Sequence, residues 1–157
     1  DVSKVTSMYA MFDNCQILTT LNLSGFDTSK VTNMHSMFYY CRKLSNIPKL
    51  NASNAINVYN VFYECRLLTD VGGLENLGQA YLTTQSANYS YYKLDLSQSG
   101  RLTEQSLINV LNNLYDIKTK GCNPQQVVLG STNLAKLTSE EGQQALSNAQ
   151  AKGWTVS

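Results

Sequence analysis

Charge is scarce in this chain. Only 15% of its 157 residues are charged and the formal net charge is +1. That balance leaves no broad basic face for nucleic acid or for an anionic membrane. No apolar run approaches the roughly 20 residues that span a bilayer. Histidine is nearly absent: His35 stands alone. Acidic residues are few and scattered. Gly72 and Gly73 lie inside an apolar stretch, without the later glycine and the helix that a phosphate loop requires. These shortages remove the common supports of metal, phosphate and acid–base chemistry, so neither a catalytic residue nor a metal or cofactor ligand is expected. The 43% hydrophobic content is enough for a core, and the length suits one domain.

What the chain does have is repetition. Residues 3–15 read SKVTSMYAMFDNC, residues 29–41 read SKVTNMHSMFYYC and residues 53–65 read SNAINVYNVFYEC. They align without gaps at offsets of 26 and 24 residues, so Phe12, Phe38 and Phe62 coincide, as do Cys15, Cys41 and Cys65. A period of this length indicates stacked coils, each too small to bury a core alone. His35 then falls level with Tyr9 and Tyr59, an aromatic position that asks for no proton chemistry.

Within each phrase the apolar residues recur at three and four, as in Val31, Met34, Met37, Phe38 and Cys41, which predicts a short helix. The methionines Met8, Met11, Met34 and Met37 are placed with the three phenylalanines on one buried face. After the helix the pattern alternates. Leu21 and Leu23 sit between polar neighbours, and equivalent strand starts fall at Leu21, Ile47, Val71, Leu94, Val127 and Trp154. Six strands at about 4.8 Å per step would form a parallel ladder. The expected core comprises Phe12, Phe38, Phe62, Cys15, Cys41, Cys65, Leu21, Leu23, Leu94, Leu96 and Trp154.

The expected organisation is three repeats over 1–74, a degenerate coil over 75–101, and longer coils over 102–157 that cap the stack. Thr103 reads as an N-cap ahead of Leu107, Val110, Leu111 and Leu114. Thr138 with Glu141 reads as a capping box, and Gly153 as a helix stop before Trp154. The N-terminal coil carries no such cap, so the chain reads as the C-terminal piece of a longer protein, open to edge-to-edge self-association through that coil.

In-register cysteines on adjacent coils have near-parallel Cα–Cβ vectors about 5 Å apart, too far for a disulfide, and are expected as small buried thiols. Cys122, in KTKGCNPQQ, is expected in a loop with an exposed thiol. Asp1 and Asp27 repeat at the coil turn, where such side chains bond nearby amides.

Tyrosine is plentiful, at ten. Register places Tyr39 and Tyr63 with Asp13, and Tyr40 with Asn14 and Glu64, on the outer side of the phrase. If Leu94 and Leu96 point inward, Tyr89, Tyr91, Lys93 and Asp95 face outward, and so do Asn22 and Ser24. Tyrosine supplies large contact area at low entropic cost. The candidate binding surface is therefore Tyr39, Tyr40, Tyr63, Tyr89, Tyr91, Lys93, Asp95 and Asn22.

The stretch FDTSKVTNMHSMFYYCRKL closely resembles the repeat of BspA-like leucine-rich proteins, the unit also found in mycoplasma surface lipoproteins. The resemblance covers residues 1 to about 74. The third copy departs from it, with Asn51 for Asp and Ala55, Val58 and Val61 for Val, Met and Met. The stretch from LTEQSLINVLNNL to KGWTV is similar to a segment that often follows such repeats in bacterial surface and prophage-encoded proteins. The resemblance implies a leucine-rich-repeat solenoid that is secreted or surface-displayed, in a family whose members include adhesins for host matrix and plasma proteins. It transfers no ligand-contact residue.

The expected fold is thus an α/β, right-handed solenoid of about six coils, with short helices on one side and a parallel strand ladder on the other. The expected role is a non-catalytic binding or adhesion module at a bacterial cell surface. Its partner would be a protein or glycan, such as a host matrix or plasma protein, with no nucleic acid and no membrane insertion by this chain. The alternative is a structural spacer or a prophage tail component.

Overall fold

The structure is a computed structural model that describes residues 2–81 and 90–157. Its first three coils are held by a ladder of backbone hydrogen bonds, most of them running forward along the turns, with Thr32 and Ser45 donating back to the Thr6 and Thr19 carbonyls and Ile56 and Thr69 to those of Thr32 and Ser45. Met8, Ala10, Phe12 and Asn14 donate their amides to the carbonyls of Asn33, His35, Met37 and Tyr39 at 2.7–3.0 Å. Met34, Ser36, Phe38 and Tyr40 repeat the series onto Asn57, Tyr59, Val61 and Tyr63. Ser7 thus lies opposite Asn33 and Asn33 opposite Asn57, the 26- and 24-residue offsets of the sequence repeat.

The expected short helices are absent from these coils; the first helical element among the described residues is a 3-10 turn at Ser90–Tyr92. Instead each phrase is a run of tight turns. Met11, Asp13 and Cys15 donate to the carbonyls three residues back, and Ala10 and Asn14 take left-handed φ of 53° and 59°. Ser36, Tyr40, Asn60 and Glu64 repeat that conformation. Alternate amides are thus spent on the next coil instead of on the residue four back. A turn every four residues buries the same three-and-four spacing that a helix would.

On the other side, strands β1 (Asn46–Ile47) and β2 (Leu50–Asn51) pair in parallel with β3 (Asp70–Val71) and β4 (Leu74–Glu75), placing Ile47 opposite Val71 and Leu50 opposite Leu74. A β-carbon on Gly72 would strike the backbone of Lys49, so the two coils close tightly there. No strand forms at Leu21. The Asn22 side chain takes the Ser24 amide and Phe26 turns back onto the Leu23 carbonyl, so the first coil leaves the ladder after Thr19.

The ladder also breaks after β4. Helix α1 (Glu104–Asn112) occupies the place of the next strand, and the Ser106 hydroxyl accepts from the Val71 amide at 2.8 Å and donates to its carbonyl at 3.2 Å. Strand pairing resumes as a separate parallel sheet of β5 (Leu94–Asp95), β6 (Gln125–Val128) and β7 (Trp154–Val156). Trp154 sits opposite Gln125, two residues before the expected Val127, which instead faces Val156.

Thr103 caps α1 through the Ser106 amide, as its position predicts. After α2 (Ser131–Leu134), helix α3 (Glu140–Ala151) is capped by Ser139 rather than Thr138. The Thr138 and Ser139 amides both donate to Glu104 Oε1 from α1, and that tether sets the start one residue later. Gly153, at φ 95°, ends α3 and admits β7.

A continuous core runs from Met8 to Trp154 and includes Phe38, Phe62, Cys41, Cys65, Leu23, Leu94 and Leu96. Phe12, Cys15 and Leu21 are packed against it but only partly buried, and Met11, expected inside, is exposed. All four cysteines are free. Cys41 donates to the Phe12 carbonyl and Cys65 to the Phe38 carbonyl, each bridging to the preceding coil. Cys122 is buried rather than exposed, its thiol 3.6 Å from the Tyr81 carbonyl.

Candidate functional site

The tyrosines of the second and third coils meet on the turn side. Tyr39 stacks on Tyr63 with centroids 5.2 Å apart and planes 15° from parallel. Tyr40 tilts against both, at 4.6 Å from Tyr39 and 5.8 Å from Tyr63. The coil spacing brings rings at equivalent positions within stacking range, and the left-handed φ of Tyr40 turns its side chain onto the same ridge. All three are half-buried.

Two arginines complete this surface. The Arg42 guanidinium lies 4.7 Å over the Tyr40 ring. Arg42 Nε is 3.5 Å from Glu64 Oε2, and Arg66 Nη2 is 2.7 Å from Glu64 Oε1. Glu64 is buried while both arginine side chains stay largely exposed. The Arg66 hydrogen bond, with the charges of Arg66 and Arg42, holds the Glu64 carboxyl below its ordinary range. Partial desolvation beside Tyr40 and Tyr63 raises the Tyr39 phenol above its ordinary value.

Chemically this patch offers phenol edges, a ring face and two guanidinium forks anchored by one carboxylate. It holds no paired base and nucleophile. It fits a ligand rich in acceptors, such as a carboxylate-bearing or polyhydroxylated chain. Arg42 and Arg66 are not among the residues singled out from the sequence. They could have been: Gln16, Arg42 and Arg66 are equivalent, two residues beyond Asn14, Tyr40 and Glu64.

The remaining candidates lie elsewhere. Tyr91 is exposed, but it belongs to the 3-10 turn and not to a strand face; its carbonyl accepts from the Val58 amide. Lys93 and Asp95 pair at 3.2 Å, and Asp95 also accepts from the amide and hydroxyl of Ser97. Asn22 lines a groove of about 370 Å³ with Thr20, Leu21, Leu23, Ser24, Asn46 and Pro48. Tyr89 lies outside the described residues. His35 is held between Tyr9 and Tyr59 at 5.2 and 5.4 Å. Among the described residues no group of three or more His, Cys, Asp or Glu could hold a metal ion, and no helix is long and apolar enough to cross a membrane.

Residues 1–75 match a family model described as "Mycoplasma protein of unknown function, DUF285". No curated protein and no solved structure matches the chain.

Proposed function

We propose that the chain is a non-catalytic recognition module of the BspA-like, leucine-rich-repeat type, a right-handed stack of coils carried at a bacterial surface or secreted. Its ligand is a protein or glycan outside the cell, held by Tyr39, Tyr40, Tyr63, Arg42 and Arg66. The observation that carries this reading is the convergence of three tyrosines from two coils with two outward arginine forks. The repeat phrase supports the architecture and the location by resemblance; the matched family brings no function with it.

The test is surface plasmon resonance of the folded chain on fibrinogen, fibronectin, collagen and a polysaccharide panel. The expected result is saturable binding to one of them that drops at least about tenfold, or roughly 1.4 kcal/mol, when Tyr39 and Tyr63 are both changed to Ser with circular dichroism unaltered. Binding that survives the double change would sink the tyrosine surface.

One observation favours the other reading, a spacer or a prophage tail component. The Tyr39 and Tyr63 rings spend their faces on each other, as packing between coils alone would require. Silence across the panel from a folded chain would establish that alternative.

A further inference from the structure

The three coils carry one side-chain lock in three chemistries. Asn14, Tyr40 and Glu64 all take left-handed φ, of 59°, 57° and 62°, which turns each side chain onto the residue two further on. In the first coil Gln16 Nε2 donates to Asn14 Oδ1 at 2.6 Å, in the second the Arg42 guanidinium covers the Tyr40 ring, and in the third Arg66 Nη2 donates to Glu64 Oε1. Only the second and third locks are cationic. Arg42 reaches across to the third coil and shares Glu64 with Arg66, so two guanidinium groups gather on one stretch of the turn side, with exposed Lys43 next to Arg42 in the chain. A single buried carboxylate opposes them. Asp13, whose charge acts on the Tyr39 phenol, bounds the patch on the side of the first coil.

The two arginines are held differently. Arg66 is hydrogen-bonded to Glu64, whereas Arg42 is held by a ring face and by charge, its Nε 3.5 Å from Glu64 Oε2, an oxygen that accepts no hydrogen bond among the described residues. The Arg42 N–H groups are thus left for a ligand. Guanidinium and ammonium groups donate and never accept, and the one carboxylate here is 5% exposed and engaged. Sugar hydroxyls, which must both donate and accept, find acceptors only in the three phenols; an oxyanion, which only accepts, is matched in full. The backbone of the ridge is closed as well. The amides of Tyr39, Tyr40, Cys41 and Arg42 donate to the carbonyls of Ser36, Tyr63, Phe38 and Tyr40, while the carbonyls of Tyr39, Tyr40 and Tyr63 accept from Asn14, Arg42 and Tyr40. An acidic peptide laid along it would find no backbone edge to pair with.

We propose that this surface takes a sulfated polysaccharide, with one sulfate on Arg66 and a neighbouring one on Arg42. The inference rests on the recognition reading above and narrows it to one ligand class. Equivalent residues on adjacent coils lie about 4.8 Å apart along the stack, so the site asks for acidic groups closely spaced on an extended chain. A tetrahedral sulfate takes donors from several directions, which suits guanidinium groups already drawn to Glu64 on one side; a planar carboxylate pairs best with a whole fork. The sugar faces and hydroxyls would lie along Tyr39, Tyr40 and Tyr63.

The experiment measures binding of the folded chain to immobilised heparin and dextran sulfate, beside neutral dextran and hyaluronan, whose only charges are carboxylates. The expected result is saturable, salt-sensitive binding to both sulfated chains, distinctly weaker binding to hyaluronan and none to neutral dextran. Changing Arg42→Gln together with Arg66→Gln should weaken heparin binding at least about tenfold and flatten its salt dependence. Because that change strands the Glu64 charge, a second variant adds Glu64→Gln, which should fold as the unaltered chain does by circular dichroism and show the same loss. Removing equal charge at exposed Lys4 and Lys30, both to Gln, should leave binding nearly unchanged. Equal losses in the arginine and lysine variants would overturn the proposal, since net charge alone would then account for binding. So would hyaluronan binding as tight as heparin binding, or silence toward both sulfated chains. In that last case, capture of a panel protein that depends on Tyr39 and Tyr63 would leave the recognition reading standing with another ligand, whereas silence there too would remove both.

Discussion

Phe38 lies between Phe12 and Phe62, its ring 5.5 and 5.8 Å from theirs and within 8° and 13° of parallel. It is fully buried. Phe38→Ala should cost about 3–5 kcal/mol in urea denaturation, because the two flanking rings are fixed by the backbone ladder and cannot collapse into the void. Phe12→Ala should cost distinctly less, since that ring has one neighbour and is partly exposed. Equal losses at the two positions would mean that the first coil is covered in solution. The cysteines divide along the same line. Burial pushes the Cys41 thiol up to about 11 and the Cys65 thiol higher still, so both remain protonated at pH 8–9. Iodoacetamide at that pH should label Cys15 in the native chain and leave Cys41 and Cys65 unlabelled until denaturant is added. At this scale the sequence is legible: gapless alignment identifies Phe38, Phe62, Cys41 and Cys65 as buried equivalents before any coordinate is known.

Between residues, at the scale of the element, legibility falls away for a physical reason. The spacing of Val31, Met34, Met37, Phe38 and Cys41 is common to a helix and to consecutive turns that reverse every four residues. The distinguishing mark is a left-handed φ at positions 10, 14, 36, 40, 60 and 64, and no glycine marks any of them. Asparagine tolerates that conformation, but alanine, serine, tyrosine and glutamate pay for it with crowding at Cβ. Ser36→Gly should therefore stabilise the fold by about 1 kcal/mol, read as a higher urea midpoint with an unchanged slope. In a true helix the same change would cost a similar amount, so the sign decides between the two geometries. The elements beyond residue 75 were hidden differently. Ser106 stands in for a strand 35 residues away from Val71, and Glu104 fixes the start of α3 from another helix. No local pattern carries such information. The candidate surface shows both cases. Register alone brings Tyr39, Tyr40 and Tyr63 together, whereas Tyr91 leaves the expected face because residues 90–92 wind into a 3-10 turn.

At the scale of the whole molecule, a stack whose units bond mainly to their neighbours has a stability that depends on position. The second coil is buried between two others and contributes Met34, Met37, Phe38, Cys41 and Leu44 to the core at 0% exposure. The first coil has the same phrase and the same forward hydrogen bonds, but one interface instead of two. Because this series of bonds runs forward into the next coil, the amides of Met8, Ala10, Phe12 and Asn14 are bonded as fully as those of Met34, Ser36, Phe38 and Tyr40. Native-state hydrogen exchange thus separates two quantities that a contact map confuses, bonding and burial. If the stack opens by peeling from its exposed coil, the first set should exchange faster than the second, and the gap should close as denaturant brings global unfolding within reach. The opposite end should not peel, since Trp154 is buried and bonded through Nε1 to the Tyr115 carbonyl, and Lys152 Nζ binds the carbonyls of Asn112 and Leu114 at the end of α1. Equal protection in both sets would show that the continuous core couples the coils into one cooperative unit, and that the side chains of the first coil are held by their single interface as firmly as those held by two.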